Sequence, residues 1–286
     1  MVLHVKPLEE VVNTTITNIK PLSGGDINEV YKLSTKNKTY CVKVNSSELF
    51  PGMFQAEKMG LERLKCSNTF TIPEVIAVLE KKGQSFLLME YIFQGTKTRE
   101  FWSDFATNLA TMHQNSSDKF GLDHNNYIGS LQQINNEKTT WAEFYTENRL
   151  LYMFDLAKTS GHLSSSDGKA LLNLCNRLTE IFPKEVPALL HGDLWGGNYL
   201  IDDNGKACLI DPAVYYGHRE MDLGMMQLFG GFDSKVFDYY NERYPLEKHW
   251  QERVPITQLY PLLVHVNLFG SGYVSQVKRI IDKFRT

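Results

Sequence analysis

The chain has 286 residues, 42% of them hydrophobic and 22% charged, proportions that can build a large core and that exclude disorder as the default state. Its formal net charge of −3 excludes a generally basic surface of the kind that binds nucleic acid or anionic membrane. The four cysteines, Cys41, Cys66, Cys175 and Cys208, show no CxxC spacing, which excludes a disulfide scaffold and a zinc ribbon.

The first 90 residues read mainly as strands. Residues 15–21 lead into the turn Ser23-Gly24-Gly25, and alternating runs follow at 29–33 and 40–44 across the polar link Lys36-Asn37-Lys38. Such a pattern predicts an antiparallel sheet. Residues 54–65 change period, with Phe54, Met59, Leu61 and Leu64 on one helical face. Residues 72–79 and 85–92 return to strand character around Lys81-Lys82-Gly83. Beyond Gly95 the pattern is helical, with predicted helices at 100–115, 141–157 and 165–182, and largely helical chain after Asp222. No run reaches the roughly 18 apolar residues of a membrane span. The opening MVLHVKPLEEVV lacks the basic-then-apolar order of a secretory signal, so a cytoplasmic location is expected. The fold class expected is α+β, a two-lobed chain with a small antiparallel-sheet lobe and a large mostly helical lobe. Its smaller sheet lobe would be 1–92 and its larger helical lobe 93–286.

One segment carries chemistry. His191-Gly192-Asp193-Leu194-Trp195-Gly196-Gly197-Asn198 is followed by a strand, a turn at 202–205, a second strand and Asp211-Pro212. Asp193 and Asn198 are five apart, and Asn198 and Asp211 thirteen apart. Phosphoryl transfer needs this set. A divalent magnesium ion must bridge the anionic phosphates through hard oxygen ligands, which suits Asn198 and Asp211. The acceptor hydroxyl must lose its proton during attack, which suits Asp193. Protein kinases share the Asp-x-x-x-x-Asn spacing. Here, however, Gly192 stands where they have arginine, and Pro212-Ala213 follows the second aspartate, so no phosphorylation-regulated activation loop is expected. His191 is expected to orient the loop.

The nucleotide side is predicted from the strand region. Gly24 and Gly25 would let backbone amides approach phosphate oxygens. Lys43, flanked by Val42 and Val44, would hold the phosphates, with Glu57 on the following helix as its partner. Met89, Glu90 and Ile92 would close the adenine pocket, the main chain of Glu90 and Ile92 bonding to the base edge.

The chain resembles the fructosamine kinase (ketosamine 3-kinase) family, within the aminoglycoside and choline kinase-like group, and the resemblance implies the protein-kinase-like two-lobed fold. The segments SGGDINEVY, CVKVN, FLLMEYI, NNYIGSLQQ, WAEFYTENRL, LLHGDLWGGNYL, LIDPAVYYGHREMDLGMMQLFGGF and LYPLLVHVNLFG carry the resemblance. It implies ATP-dependent phosphorylation, with Mg2+, of the 3-hydroxyl of a fructosamine or ribulosamine, free or on glycated lysine in proteins. It also implies Asp193 as base, Asn198 and Asp211 as magnesium ligands, and Lys43 with Glu57 on the phosphates. Trp195 would wall the sugar pocket. His218, Arg219, Glu220 and Asp222 fall in the family's substrate-side and loop-bracing segment, with Asp222 expected to brace the loop. No nucleic-acid or membrane partner is expected, and a monomer is favoured. The competing readings are a kinase of an aminoglycoside or choline and a nucleotide-binding pseudokinase.

Overall fold

In a computed structural model, residues 3–22 and 27–285 are described. Gly24 and Gly25 lie outside them. The chain divides into two compact units, one of Met1–Phe101 with Gly197–Pro212, the other of Trp102–Gly196 with Ala213–Thr286. Gly197–Pro212, which the sequence reading assigned to the helical lobe, thus packs with the strand-rich unit.

The first unit opens with a short helix, α1 (Lys6–Val12), which buries Leu8. Strands β1 (Asn18–Leu22), β2 (Glu29–Ser34) and β3 (Thr39–Ser46) follow, then helix α2 (Met53–Cys66) and strands β4 (Val75–Lys81) and β5 (Gln84–Glu90). The strands form one sheet in the order β1-β2-β3-β5-β4, every neighbour antiparallel. The β4–β5 turn places Lys82 and Gly83 at positive φ, the backbone that matches the twist of a tight hairpin. Pro73 cannot donate to a ladder, and β4 begins only at Val75, later than the predicted 72.

Alternation along β3 separates two faces. Leu33, Val42, Val44, Phe86 and Leu88 form one core cluster with Leu8. In register on the other face stand Val30, Lys43 and Leu87, and beside them Lys32, Cys41 and Met89. The hairpin Tyr199–Ile201 with Ala207–Leu209 joins this unit through a parallel bridge between Thr71 and Cys208. The Asp202 carboxylate closes its turn, accepting from the Asn204 and Lys206 amides and from the Thr71 hydroxyl.

The second unit is mostly helical, around Phe144, Tyr145, Leu171, Leu174, Leu259 and Leu263, all nearly inaccessible. Side chains of this size contribute about 1.5–3 kcal/mol each on burial. The predicted helix at 141–157 is interrupted. Trp141–Tyr145 passes into a π-helical turn, Thr146–Leu151, before α-helix resumes at Tyr152–Thr159. The predicted 165–182 helix is two, Ser165–Cys175 and Leu178–Ile181. Its start is fixed by a reciprocal capping box of Ser164 and Asp167. Two small pairings escaped the sequence reading, a hairpin of Asn126–Ile128 with Leu131–Gln133 and a ladder of Ala188–Leu190 with Tyr215–Gly217. Three-residue strands carry too little alternation to be read. No helix among the described residues is long and apolar enough to cross a membrane.

Candidate active site

In the sheet unit, Lys43 lies buried with its ammonium 2.5 Å from a Glu57 carboxylate oxygen and in direct contact with Asp211. Burial alone would pull the ammonium's pKa down, but the Asp211 and Glu57 carboxylates reverse this and hold it above its ordinary value. Glu57 is pushed up by burial and by the nearby Asp211 charge, against the pull of Lys43. Lys43 therefore stays protonated and anchors two carboxylates from separate elements. Burial also pushes the Cys41 thiol, on the same sheet face, up to about 11, leaving it a neutral apolar group.

Asn198 precedes the hairpin and Asp211 follows it. The Ile210 amide donates to the Asn198 carbonyl at 3.1 Å, which draws the two positions to one end of the hairpin. Asp211 adopts φ +55°, a left-handed conformation that aspartate tolerates better than most residues. One carboxylate and one carboxamide are the hard oxygen donors that magnesium takes from a protein when phosphates and water complete its shell. The residues present fit that ion.

Met89, one residue before the end of β5, stands on the Lys43 face. The Glu90 amide is consumed by the Glu74 carbonyl at 2.8 Å. The ladder stops there, and the Ile92 main chain has no hydrogen-bond partner among the described residues.

The helical unit holds Asp193. Its loop is fixed from below by Asp222, whose buried carboxylate accepts from the His191 amide at 2.8 Å, the Gly192 amide at 2.9 Å and the His113 ring at 3.2 Å. The fully buried His191 accepts from the Asp193 amide through Nδ1, and its carbonyl receives the Ala213 amide. Gly192 has φ +83°, and a Cβ there would stand 2.0 Å from the Ala213 carbonyl oxygen. Only glycine fits this crossing, the physical reason that the arginine of protein kinases is absent.

Asp193 opens on a hollow of about 340 Å³, counting its mouth, lined by Gly192, Tyr215, Met225, Tyr260 and His265 among others. Sequence reasoning missed all of these except Gly192. The available signal was the 260–265 run on a helix, where Tyr260, Val264 and His265 recur at helical spacing. Trp195 is exposed and meets Phe229 edge-on at 6.4 Å.

His218, Arg219 and Glu220 do not line this hollow. Arg219 is bidentate to Glu185 and donates to the Tyr244 and Pro245 carbonyls. Glu220 is bidentate to Arg253. His218 is buried between Trp141 and Phe182 with Nε2 3.7 Å from Glu185, and burial holds its pKa below the usual value. The charges of Arg219 and Glu220 are spent on framework partners.

An antiparallel sheet with a buried lysine–glutamate pair, a hairpin bearing Asn and Asp at one end, and a braced Asp loop in a helical unit define an α+β chain of the kinase-like fold. Aminoglycoside phosphotransferase APH(4)-Ia, solved in a ternary complex with ADP and hygromycin B, superposes with a TM-score of 0.63 at 17% identity over 97% of each chain, which establishes the fold. The sequence profile of the fructosamine kinase family matches residues 4–286, and the chain belongs to that family. A probable ketoamine kinase of Enterococcus faecium is 37% identical over 281 residues, 96% of this chain and 99% of the relative. The chloroplastic protein-ribulosamine 3-kinase of Arabidopsis thaliana is 37% identical over 97% of this chain and 85% of its own length. A crystal structure from Haemophilus somnus, assigned as a fructosamine-3-kinase, has a TM-score of 0.87 at 31% identity over 98% of this chain and 95% of that one. The protein is an enzyme, a kinase.

Proposed function

We propose that the chain transfers the γ-phosphoryl group of ATP to a sugar hydroxyl, the 3-hydroxyl, of a ketosamine such as a fructosamine or ribulosamine adduct of lysine. Family membership along nearly the whole chain supports the substrate class. The observation that carries the chemistry is Asp193, a carboxylate on a loop whose His191 and Gly192 amides both donate to Asp222, opening on a hollow lined by Tyr215 and Tyr260.

Each step falls to a named group. The Ile92 main chain offers the adenine edge a donor and an acceptor. The Lys43 ammonium, steadied by Glu57, binds phosphate oxygens and positions them for in-line transfer. Asn198 and Asp211 would hold magnesium, which neutralises phosphate charge when bound. Asp193 orients the acceptor hydroxyl and takes its proton as the new P–O bond forms. Trp195 offers its face to the sugar. His191 and Asp222 act through the loop backbone. Phosphorylation at the 3-position makes the adduct prone to lose its amine, so the activity would serve deglycation of small amines or proteins. With four free cysteines, the cytoplasm is the compartment we assign, with the chain acting as a monomer.

The test is ATP consumption across fructosyl-, ribulosyl- and erythrulosyl-lysine, with choline and an aminoglycoside as controls. Turnover with ketosamines alone is expected. Turnover with a control compound and none with ketosamines would overturn the assignment.

A further inference from the structure

The small hairpin of Asn126–Ile128 with Leu131–Gln133 turns through Gly129, at φ +59°, and Ser130, a two-residue link that suits a twisted hairpin. Asn126 and Gln133 are cross-strand partners, and their carboxamides bond to each other. Both are buried, as are Asn135 just beyond the hairpin and Arg149 on the π-helical turn.

Three carboxamides, those of Asn126, Gln133 and Asn135, are strung between groups whose polarity cannot change. Arg149 is the donor end, because a guanidinium has no acceptor. It is held against the faces of Phe144, Tyr215 and Tyr260, and it donates to the Ile134 and Asn148 carbonyls. Its remaining contact is with the Asn135 carboxamide oxygen at 2.7 Å. The Asn135 NH2 therefore faces the His124 carbonyl at 3.1 Å and the Asn126 carboxamide oxygen at 2.8 Å. Asn126 in turn directs its NH2 to the Val214 carbonyl, 2.8 Å away. Gln133 accepts from the Tyr260 hydroxyl and donates to Asn126, both at 2.8 Å, and to the Ala213 carbonyl at 2.9 Å. Flipping any one of these amides would set oxygen against oxygen. A buried network satisfied in one orientation alone specifies one arrangement of the chain around it.

The network ends on two consecutive carbonyls, Ala213 and Val214. Ala213 is the residue that meets the catalytic loop from the side opposite Asp222's bonds. Its amide donates to the His191 carbonyl at 2.9 Å, and its carbonyl oxygen is the atom that admits only glycine at 192.

We propose that Asn126, Gln133 and Arg149 are positioning residues for phosphoryl transfer. They fix the Ala213 and Val214 carbonyls, and through Ala213 they set the height of Gly192 and the reach of the Asp193 carboxylate toward the acceptor hydroxyl. Arg149 acts at the far end, by fixing which way the amides point. The inference rests on the reading of Asp193 as the base.

Near-isosteric variants that remove donors test it. Gln133→Glu keeps an oxygen for Tyr260 but has no NH2 for Ala213, and Asn126→Asp loses only the donor to Val214. Leu171→Ala, in the helical core, is the comparator for lost stability. With each protein assayed well below its Tm, Gln133→Glu should lower kcat by about ten- to hundredfold, the cost of a misplaced reacting group. Asn126→Asp should lower it less, and Arg149→Lys, which returns one donor, should recover part of the kcat lost in Arg149→Met. KM for the sugar and magnesium-dependent ATP affinity should stay near the parental values, and Leu171→Ala should keep the parental kcat. If Gln133→Glu does not fold, Asn126→Asp decides. Parental kcat in the variants that fold, a kcat loss shared by Leu171→Ala, or a loss confined to ATP affinity would each refute the positioning role and leave Asp193 as base. Parental turnover by Asp193→Ala would remove both.

Discussion

Asp222→Asn tests how much of the activity depends on a group proposed never to touch substrate. The native carboxylate accepts two backbone amides, one on each oxygen, and a histidine ring. Asparagine keeps one acceptor oxygen. If it faces Gly192, the new NH2 confronts the His191 amide; if it faces His191, the NH2 confronts Gly192. His113 can adapt by exchanging its proton with the Tyr240 hydroxyl 2.8 Å away, but a backbone N–H cannot. One buried amide is therefore orphaned in either rotamer, at about 1–3 kcal/mol, and the surviving bonds lose their charge assistance. The sum, about 3–5 kcal/mol, lowers Tm by roughly 10 °C for a chain of this size. A loop shift of about 1 Å at Asp193 lowers kcat by on the order of 10²-fold. Nucleotide affinity should hold, because Lys43, Glu57 and Asp211 belong to the other unit. Calorimetric Tm, ATP binding and steady-state turnover separate these effects. A variant with parental Tm and kcat would refute the bracing role.

Asp193→Ala should fold and bind nucleotide as the parent does while turnover falls by about 10²–10⁴-fold; a parental rate with ketosamine would remove Asp193 as base. Lys43→Met strands Glu57 and Asp211 without their shared cation, a loss of about 3–5 kcal/mol for breaking a buried pair, and should weaken ATP binding as well, so unchanged denaturation and affinity would contradict the geometry. Asp211→Asn should remove most of the magnesium-dependent part of nucleotide affinity, read by titrating ATP with and without the ion. Asp167 supplies the pH dependence. Despite burial, hydrogen bonds from Ser164 and the ion pair with Arg285 hold its carboxyl near about 2. Its contribution is thus present above the unfolded pKa of about 3.9 and is lost as pH falls from there toward 2. Asp167→Asn should flatten the acid limb of the stability profile, and an unaltered limb would exclude it.

What could be read from the sequence was what neighbouring residues encode. The Asp193–Asn198–Asp211 spacing, the strand carrying Lys43 and the Lys82-Gly83 turn all depend on short stretches whose chemistry is local. The partners of Arg219 and Glu220 could not be named from the sequence, because Glu185 and Arg253 lie 34 and 33 positions away and nothing along the chain marks them. The same holds for the hollow, whose walls come from 192–193, 215, 225 and 260–265. It holds most clearly for Arg149, an ordinary arginine in sequence that is fully buried against the faces of Tyr215 and Tyr260. Periodicity fixes which face of an element is apolar. Which distant side chain it meets, and so the charge that a substrate feels, is decided by packing.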